Sequence, residues 1–289
     1  MPELPEVETV KLGLQKLLVG KTVRAVKHDT DKSFPNAPED INQFLIGANV
    51  VAVKRRAKVL LIELSSKYSL VIHLKMTGQL VYVGTERFGA GHPNDSLIGE
   101  LPDRSTRVTF TLDDGVLYFN DQRKFGWVRL LPTAEVPSID FMKKLGPEPL
   151  ATDFTATVFK ARLLRRPKSR IKAVLLDQTV VAGVGNIYAD ESLWAAKIHP
   201  EIPVAAIPAR KMNDLYHELQ AVLRLSIAKG GSSDRNYVNA EGKRGSYISF
   251  AKVFRREGKP CERCGTTIEK IRVAGRGTHV CPRCQKVAA

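Results

Sequence analysis

Apolar residues recur at helical spacing in two stretches of the chain, one near the start and one in the second half. The first stretch ends at Gly20 and the second at Gly230-Gly231, and the period of 3.6 residues predicts an amphipathic helix in each. The first stripe consists of Val7, Val10, Leu14, Leu17 and Leu18, and the second of Met212, Leu215, Tyr216, Leu219, Val222, Leu223 and Ile227. We assign both stripes to the protein core.

A different pattern occupies residues 22–83, where short β-branched or apolar runs alternate with polar or basic turns. The runs are residues 50–53, 59–64, 70–74 and 80–83. Further on, Asp114-Gly115 separates two more runs and is a typical hairpin signal. Several short strands with turn residues between them predict a β-sandwich or barrel.

Residues 84–103 interrupt these strands with a long polar stretch. A connection of that length is either functional or a mobile insertion, and we expect a mobile insertion. His92, which lies inside it, is therefore given no role.

Prolines and glycines mark a change of composition at residues 132–137 and 146–149, where we expect a linker. Beyond it the pattern is helical. Residues 231–247 are rich in Gly, Ser, Asn and charge, which is typical of a flexible loop.

The composition narrows the class of protein. The chain has 289 residues, of which 43% are hydrophobic, so it can bury a substantial core, and its length favours two domains over one. Its net charge of +15 favours a polyanionic partner, most simply nucleic acid, although a generally basic protein would show the same excess. We find neither a signal peptide nor an apolar run of about 18 residues, so we expect no membrane association and a cytosolic location.

The four cysteines carry the strongest motif in the chain. Cys261 and Cys264 form one C-x2-C pair, and Cys281 and Cys284 form a second one sixteen residues later. This is the spacing of a zinc ribbon with four thiolate ligands, and a cytosolic location disfavours the alternative of two disulfides. We expect one structural Zn²⁺, which would supply folding free energy to a module too small to build much core. The intervening hairpin and its flank carry basic residues at Lys270, Arg272, Arg276 and Lys286.

The first residues hold a second candidate site. Removal of Met1 would make Pro2 a secondary amine at the N-terminus, with the carboxylate of Glu3 beside it. An α-amine titrates near neutral pH and can attack an aldehyde-level carbon to form an iminium, while a carboxyl group moves protons at the same carbon. The same residues also form an ordinary helix start, with Pro5 in the first turn and Glu6 near the positive end of the helix dipole.

Three further segments carry candidate chemistry. The glycine-rich turn at residues 181–191 runs into a helix, so its backbone amides are suited to a phosphate, or it is only a tight turn between helices. The two loops at residues 73–78 and 121–126 place Met76, Arg123 and Phe125 at turns. An apolar wedge with an arginine suits an enzyme that extrudes a nucleotide, whereas each apolar residue alone would be assigned to the core.

Five motifs together resemble the formamidopyrimidine-DNA glycosylases, bacterial enzymes that excise oxidised purines. They occur in the family's order and cover nearly the whole chain. They are the opening nonapeptide, Arg55-Arg56-Ala57-Lys58, the two loops, the helix-two-turn-helix-like run at residues 171–200, and the ribbon.

The resemblance implies an α+β fold and a bifunctional enzyme. The fold would comprise an N-terminal β-sandwich with an N-terminal helix at residues 1–131, a linker at 132–152, a helix-two-turn-helix domain with the lesion-recognition loop at 153–247, and a zinc ribbon at 248–289. The enzyme would remove 8-oxoguanine and formamidopyrimidines from duplex DNA and then cleave the abasic site by β,δ-elimination through a Schiff base. It would be a monomer in the bacterial cytoplasm, associated with the nucleoid through DNA.

The resemblance also implies roles for individual residues. Catalysis would involve Pro2 as nucleophile, Glu3 as proton-transfer partner, Lys58 near the lesion, and Arg276 on the lesion's phosphate and as proton donor in δ-elimination. Met76, Arg123 and Phe125 would fill the void, with Arg123 reading the opposite cytosine. Asn186 would hold a phosphate. The basic run of Arg165, Arg166, Lys168, Arg170 and Lys172 would add backbone contacts.

The chain departs from the family pattern in three places. Residues 103–107 replace a segment that usually carries a histidine, so that residue's DNA contact is lost or is taken over by Arg107. Residues 253–256 place Phe254 where the family usually has tyrosine, which removes a hydroxyl group. The stretch at 84–103 is also longer than is typical.

Two alternative functions remain on sequence grounds. A relative of the endonuclease VIII branch would prefer oxidised pyrimidines, but Leu4-Pro5 and the set of Met76, Arg123 and Phe125 favour the purine branch. A non-enzymatic zinc-ribbon protein that binds DNA is the other alternative, and for it Pro2 would be incidental.

Overall fold

The computed structural model describes residues 1–232 and 247–286. These residues form two compact units. The first comprises residues 1–143 with 229–232, and the second comprises residues 144–228 with 247–286. The division at residue 143 falls inside the predicted linker, where the chain forms a 3-10 helix at Thr133–Ser138 and a short helix α3 at Asp140–Lys143. Most of the predicted lesion-recognition loop lies outside the described residues.

The first unit is a β-sandwich of two antiparallel sheets with an N-terminal helix. One sheet has the order β1-β7-β8-β5-β6 and the other β2-β3-β4-β9. The strands are β1 (Val23–His28), β2 (Val50–Arg56), β3 (Val59–Leu64), β4 (Tyr68–His73), β5 (Gly78–Val83), β6 (Arg87–Gly91), β7 (Thr106–Leu112), β8 (Gly115–Asp121) and β9 (Trp127–Pro132). A short helix α2 (Pro38–Asp40) with a π turn (Ile41–Leu45) precedes β2.

Helix α1 (Leu4–Leu18) packs against residues of both sheets. Its residues Val7, Val10 and Leu14 are fully buried in one core with residues of both sheets. Each such side chain contributes roughly 1.5–3 kcal/mol relative to an exposed one, so the helix is fixed by its packing. The N-terminus of the chain is therefore attached to a rigid element.

The segment at residues 84–103 is ordered, and the expectation of a mobile insertion was wrong. Residues 87–91 form β6, which pairs with β5 along its whole length, and a 3-10 turn follows at Asp95–Leu97. Strand β6 was not predicted from the sequence because Phe88 is followed only by Gly89, Ala90 and Gly91. The strand therefore lacks the β-branched residues by which strands are recognised.

The second unit joins a helical bundle to a two-stranded ribbon. Its elements are α4 (Ala156–Leu163), α5 (Ile171–Leu176), α6 (Asn186–Ala195), α7 (Ala209–Ala228), α8 (Tyr247–Phe250), β10 (Glu269–Val273) and β11 (Arg276–Val280). The predicted stripe of α7 is confirmed as core through Met212, Leu215, Leu219 and Leu223. None of the helices within residues 1–232 and 247–286 is long and apolar enough to cross a membrane.

Candidate active site

The N-terminus of α1 holds Pro2 and Glu3 in a buried position. Glu3 is the N-cap residue and is only 3% exposed, and its backbone N–H donates to Glu6 Oε2 at 2.8 Å. The second oxygen of Glu6 accepts the N–H of Ser232 at 2.8 Å. Glu6 therefore ties the start of the helix to Ser232, which lies at the beginning of the predicted loop at residues 231–247.

The turn between β2 and β3 lies against the same end of α1. Arg55 Nε donates to Glu8 Oε2 at 2.6 Å, and Arg55 Nη1 donates to the carbonyl of Ala57 at 2.9 Å. Burial raises the pKa of Glu8, but Arg55 and Lys11 outweigh this effect and lower it, so the ion pair is kept at neutral pH. This pair places Lys58, which is 6% exposed, close to the helix that carries Pro2 and Glu3.

We expect Lys58→Ala to reduce base excision at least about ten-fold more than cleavage of a preformed abasic site, because a positioned donor that stabilises developing charge at the lesion typically contributes about 10²–10³-fold. Single-turnover rates on the two DNA substrates measure this difference. Lys54→Ala is the matched control, since Lys54 lies on β2 with an exposed side chain that pairs with Glu63. Equal losses on both substrates would show that Lys58 only binds the DNA backbone.

Two loops bring Met76, Arg123 and Phe125 into one exposed cluster. Arg123 Nη1 lies 3.2 Å from Met76 Sδ, and the Arg123 guanidinium lies 4.8 Å from the centre of the Phe125 ring. Met76 is 38% and Phe125 47% exposed. Large apolar side chains that are exposed next to each other indicate a binding surface, so the alternative assignment of both residues to the core was wrong.

Asp121, which the sequence analysis did not single out, holds this cluster in place. Its carboxylate is fully buried, and it accepts the Thr77 hydroxyl and the backbone N–H groups of Arg123, Phe125 and Gly126. One buried side chain thus fixes both loops. An aspartate that begins a turn is a usual sequence signal for such bonds to the following amides.

Backbone strain marks the candidate site residues. Seven non-glycine residues among those described have a left-handed backbone, and four of them lie within two residues of a predicted site residue. They are Ala57 before Lys58, Lys75 before Met76, Lys124 between Arg123 and Phe125, and Ala274 in the turn before Arg276. This conformation costs roughly 1–2 kcal/mol for a residue with a Cβ atom, and such strain clusters at functional sites.

Arg123→Ala is expected to flatten the preference for the base opposite the lesion. A guanidinium can donate twice to the acceptor edge of cytosine, whereas adenine presents a donor, so the discrimination lost is about 1–3 kcal/mol. Excision rates on one lesion opposite each of the four bases measure it. Arg129→Ala is the control, because Arg129 also lies 4.8 Å from an aromatic ring, that of Trp127. Unchanged selectivity would reduce Arg123 to a phosphate contact.

His73 is a buried neutral imidazole at the end of β4. Burial lowers its pKa to about 3, aided by the charges of Lys75 and Lys58, and its Nδ1 accepts the backbone N–H of Lys75 at 3.0 Å. A histidine whose folded-state pKa lies below its unfolded value stabilises the fold above pH 6.5, and this contribution is lost as the pH falls towards 3.

Replacement of His73 by Asn, whose Oδ1 can take the place of Nδ1, should make the first unit less sensitive to acid. We expect the free energy of unfolding of the wild type, relative to that of the variant, to fall by about 3 kcal/mol between pH 7 and pH 4. Urea unfolding followed by the fluorescence of Trp127, whose ring centre lies 5.9 Å from that of His73, measures it. If the difference in the free energy of unfolding between the two proteins did not change with pH, His73 would be protonated to the same extent in the folded and unfolded states, which would contradict the prediction.

Arg107 occupies a position that does not suit the predicted DNA contact. Its side chain is 8% exposed, and its guanidinium donates to Asp29 Oδ2 at 2.6 Å and to the carbonyl of Asp121 at 2.9 Å. The guanidinium is thus used within the sandwich, because Asp29 and the backbone around Asp121 lie beside it. We therefore assign Arg107 a structural role within the sandwich in place of the expected DNA contact.

In the second unit, Asn186 starts α6 and contacts the ribbon. Its Nδ2 donates to the carbonyl of Gly277 at 3.0 Å, next to Arg276, which is exposed. Lys168 is exposed as well, as are Arg165, Arg166 and Arg170, and two of these arginines pair with acids, Arg166 with Asp177 and Arg170 with Glu201. The candidate phosphate contacts of this unit thus lie at its surface.

Lys172, which the sequence analysis grouped with this exposed basic run, is fully buried. Its Nζ lies 2.6 Å from Asp190 Oδ1 and donates to Thr278 Oγ1 at 2.6 Å. Asp190 in turn accepts the backbone N–H of His279 at 2.9 Å. The expected backbone contact of Lys172 was wrong because position 172 lies on the inner face of α5, where the partner Asp190 offsets the cost of burying the charge.

The four predicted metal ligands converge at one point of the ribbon. The Sγ atoms of Cys261, Cys264, Cys281 and Cys284 all lie within 4.8 Å of one another, and no disulfide joins them. Tetrahedral Zn–S bonds of about 2.3 Å require a set of sulfurs of this size. The Thr266 hydroxyl lowers the pKa of Cys264 to about 6, whereas burial raises the pKa of Cys281 to about 12, and a bound metal favours the thiolate of both.

Comparison with known proteins matches this arrangement over the whole chain. Three family models match: the formamidopyrimidine-DNA glycosylase N-terminal domain over residues 1–128, the H2TH domain of the same glycosylases over 145–237, and a zinc finger found in FPG and IleRS over 258–287. The formamidopyrimidine-DNA glycosylase of Chloroflexus aurantiacus is 43% identical over 99% of this chain and 98% of its own length. That of Latilactobacillus sakei is 42% identical with the same coverage of both chains.

Solved structures of formamidopyrimidine-DNA glycosylases have a similar fold over the full length of the chain. A Lactococcus lactis FPG mutant in complex with DNA containing Fapy-dG has a TM-score of 0.87 at 36% identity, with 99% of this chain and 100% of that chain covered. The MutM (FPG) protein from Thermus thermophilus has a TM-score of 0.85 at 36% identity, with both chains fully covered.

The β-sandwich, the helical unit and the four-cysteine ribbon define a zinc-containing DNA glycosylase of base excision repair. The chain belongs to the formamidopyrimidine-DNA glycosylase family. The family, the fold class and the single structural zinc site predicted from the sequence are confirmed.

Proposed function

We propose that this protein is a bifunctional DNA glycosylase and abasic-site lyase for oxidised purines in duplex DNA. The observation that carries the proposal is the buried Pro2-Glu3 pair at the N-terminus of a helix that is packed into the sandwich. Support also comes from Lactococcus lactis relatives that were crystallised with Fapy-dG DNA and with DNA containing an abasic site. The protein would act as a monomer in the cytoplasm, on the DNA of the nucleoid.

The proposed reaction begins once Met1 has been removed. The neutral amine of Pro2 attacks the deoxyribose C1′ and the damaged base leaves. Glu3 protonates the ring oxygen as the sugar opens, which requires a titratable carboxyl group. The resulting cationic iminium is an electron sink for β-elimination and then δ-elimination, so strand cleavage follows from the same intermediate.

The other candidate residues bind and orient the DNA. Met76 and Phe125 enter the space left by the extruded nucleotide, and Arg123 pairs with the orphaned cytosine. Lys58 and Arg276 act at the lesion and its phosphate, with Arg276 also donating the proton in δ-elimination. Asn186 and Lys168 contact phosphates, which position the duplex without reading its sequence.

The zinc ion has a structural part in this scheme. Four cysteine ligands leave no open coordination position, so the metal folds the ribbon and takes no part in the chemistry. The ribbon presents Arg276 at the tip of the β10–β11 hairpin, where the turn includes Ala274.

A panel of duplexes tests the proposal. Each duplex carries 8-oxoguanine, a formamidopyrimidine, an oxidised pyrimidine or an abasic site opposite each of the four bases, and reactions with and without borohydride are compared. We expect excision of the two purine lesions opposite cytosine and a trapped covalent adduct. Preference for oxidised pyrimidines would favour the endonuclease VIII branch, and the absence of any adduct on abasic DNA would contradict the lyase.

A further inference from the structure

Strand β6, within the ordered segment at residues 84–103, packs against α1. A Cβ atom on Gly13 would lie 2.2 Å from Phe88 Cζ, so the phenyl ring of β6 lies directly on the helix backbone. From Gly13 back to Leu4 the helix rises roughly 14 Å, and from Phe88 to His92 the strand rises about 13 Å. Lys21, just after the C-terminus of α1, and Tyr82, which pairs with Phe88, both bind Asp114, so β6 runs from the C-terminal part of α1 towards its N-terminus. The matched lengths therefore place His92 level with the helix start.

Electrostatics give the same placement. Burial lowers the pKa of His92, the ammonium group of Met1, the residue next to Pro2, lowers it further, and the Asp121 carboxylate raises it. The imidazole is therefore close enough to the amine at one side and to Asp121 at the other to respond to both charges. The lowered pKa favours the neutral form of the imidazole, which can accept a proton.

The backbone around His92 is held firmly. A Cβ atom on Gly91 would lie 2.5 Å from the carbonyl of Gly78, and its φ of +128° also favours glycine. The N–H of His92 donates to the carbonyl of Gly78 at 3.0 Å, and its own carbonyl accepts Nε2 of Gln79, which is fully buried. Gln79 also binds Asn94 Oδ1 at 2.6 Å, so the residues on each side of His92 are fixed to β5.

We propose that His92 is the proton acceptor for the N-terminal amine during formation of the iminium, an inference that rests on the proposed function. When the nitrogen of Pro2 bonds to C1′, the bond from C1′ to the damaged base, or to the C1′ hydroxyl of an abasic site, breaks and the leaving group takes its electron pair. The Pro2 nitrogen is then positively charged while it still carries a proton. A ring nitrogen of His92 takes this proton, and the N–H electron pair returns to the amine nitrogen. That pair then forms the C=N bond as the C1′–O4′ bond breaks towards O4′, which Glu3 protonates.

This assignment gives the two proton-transfer groups separate tasks. Glu3 must deliver a proton to oxygen, and His92 must remove one from nitrogen, so the acid and the base are different side chains. Asp121 is not available as the base, because its carboxylate oxygens are taken by Thr77 and by backbone amides of the loop that carries Arg123 and Phe125.

The test uses full-length protein and a duplex with a preformed abasic site. His92→Gln retains a polar side chain that cannot titrate, His92→Ala leaves room for added imidazole, and Ile98→Ala is the control, since Ile98 is 62% exposed in the same segment. Borohydride-quenched single-turnover rates are measured from pH 6 to pH 9. Melting temperature and affinity for DNA with a tetrahydrofuran abasic analogue report on folding and binding.

At pH 7 we expect both His92 variants to form the adduct at least about ten-fold more slowly than the wild type, with affinity for DNA unchanged. At pH 9 their rates should approach that of the wild type, because the amine is then neutral and hydroxide can remove the proton. Added imidazole should speed up His92→Ala and leave the wild type unaffected.

Superimposable pH profiles for the wild type and His92→Gln would overturn the role of His92, as would an affinity that falls in step with the rate. Failure of imidazole to speed up His92→Ala would also count against it. A wild type that forms no N-terminal adduct contradicts the proposed function itself, so the two failures are distinguishable.

Discussion

Glu3→Gln is expected to bind lesion DNA with wild-type affinity and to excise the base at least about 10³-fold more slowly, within the range that general acid–base groups contribute. Gln keeps the shape of the N-cap side chain and can still accept a hydrogen bond, so the start of α1 should remain folded. Only the ability to give up a proton is lost. Single-turnover excision and equilibrium binding to the same duplex separate the two effects.

Variants at the amine itself complete this prediction. Pro2→Gly should keep partial activity through a primary amine, whereas a protein that retains Met1 should be inactive because the nucleophile is then an amide nitrogen. Intact mass identifies which proteins carry Met1. If the borohydride-trapped DNA is found on a lysine peptide instead of the N-terminal one, the mechanism is wrong.

Removal of zinc is expected to unfold the ribbon and to abolish tight DNA binding. Structural zinc contributes roughly 10–16 kcal/mol in zinc-finger peptides, which is more than a module of this size can replace by packing. The helical bundle should persist, because its core is formed by α4 to α7 and excludes the cysteines. Cys284→Ser and chelation should therefore have the same effect.

Trp194 reports on this transition. It packs in one cluster with Cys261 and Cys281, and the Arg263 guanidinium lies 3.9 Å from the centre of its ring. In a Trp127→Phe background its fluorescence should change on chelation and recover when Zn²⁺ is added back. Pure, active protein without stoichiometric zinc, or chelated protein with unchanged affinity for DNA, would contradict the structural role of the metal.

The sequence predicted those parts of the molecule that local patterns encode. Strand β3 was predicted over its observed range, 59–64, and the hairpin at Asp114-Gly115 joins β7 to β8. These elements have β-branched runs and a turn dipeptide, so they can be predicted without knowing which distant residues they contact. The cysteine spacing likewise identifies its metal, because two C-x2-C pairs leave few other arrangements.

The parts that were missed depend on residues far apart in the chain. Strand β6 is recognisable only once Gly13 is known to lie under Phe88. Lys172 and Arg107 look like any other basic residues until Asp190 and Asp29 are placed beside them. Position in the sequence does not reveal such a partner, so a positive charge predicted for DNA can instead belong to the core.

The buried pair of Lys172 and Asp190 has a consequence for the order of events during synthesis. The pair belongs to the helical bundle, yet Thr278 and His279 of the ribbon supply hydrogen bonds to it. A nascent chain whose ribbon is still inside the ribosome therefore carries an ion pair that is short of these partners. The bundle can reach its final stability only when β11 has emerged and docked. A prematurely terminated chain would therefore lack the ribbon and would also have a less stable helical bundle, so we expect it to be degraded faster than the complete chain.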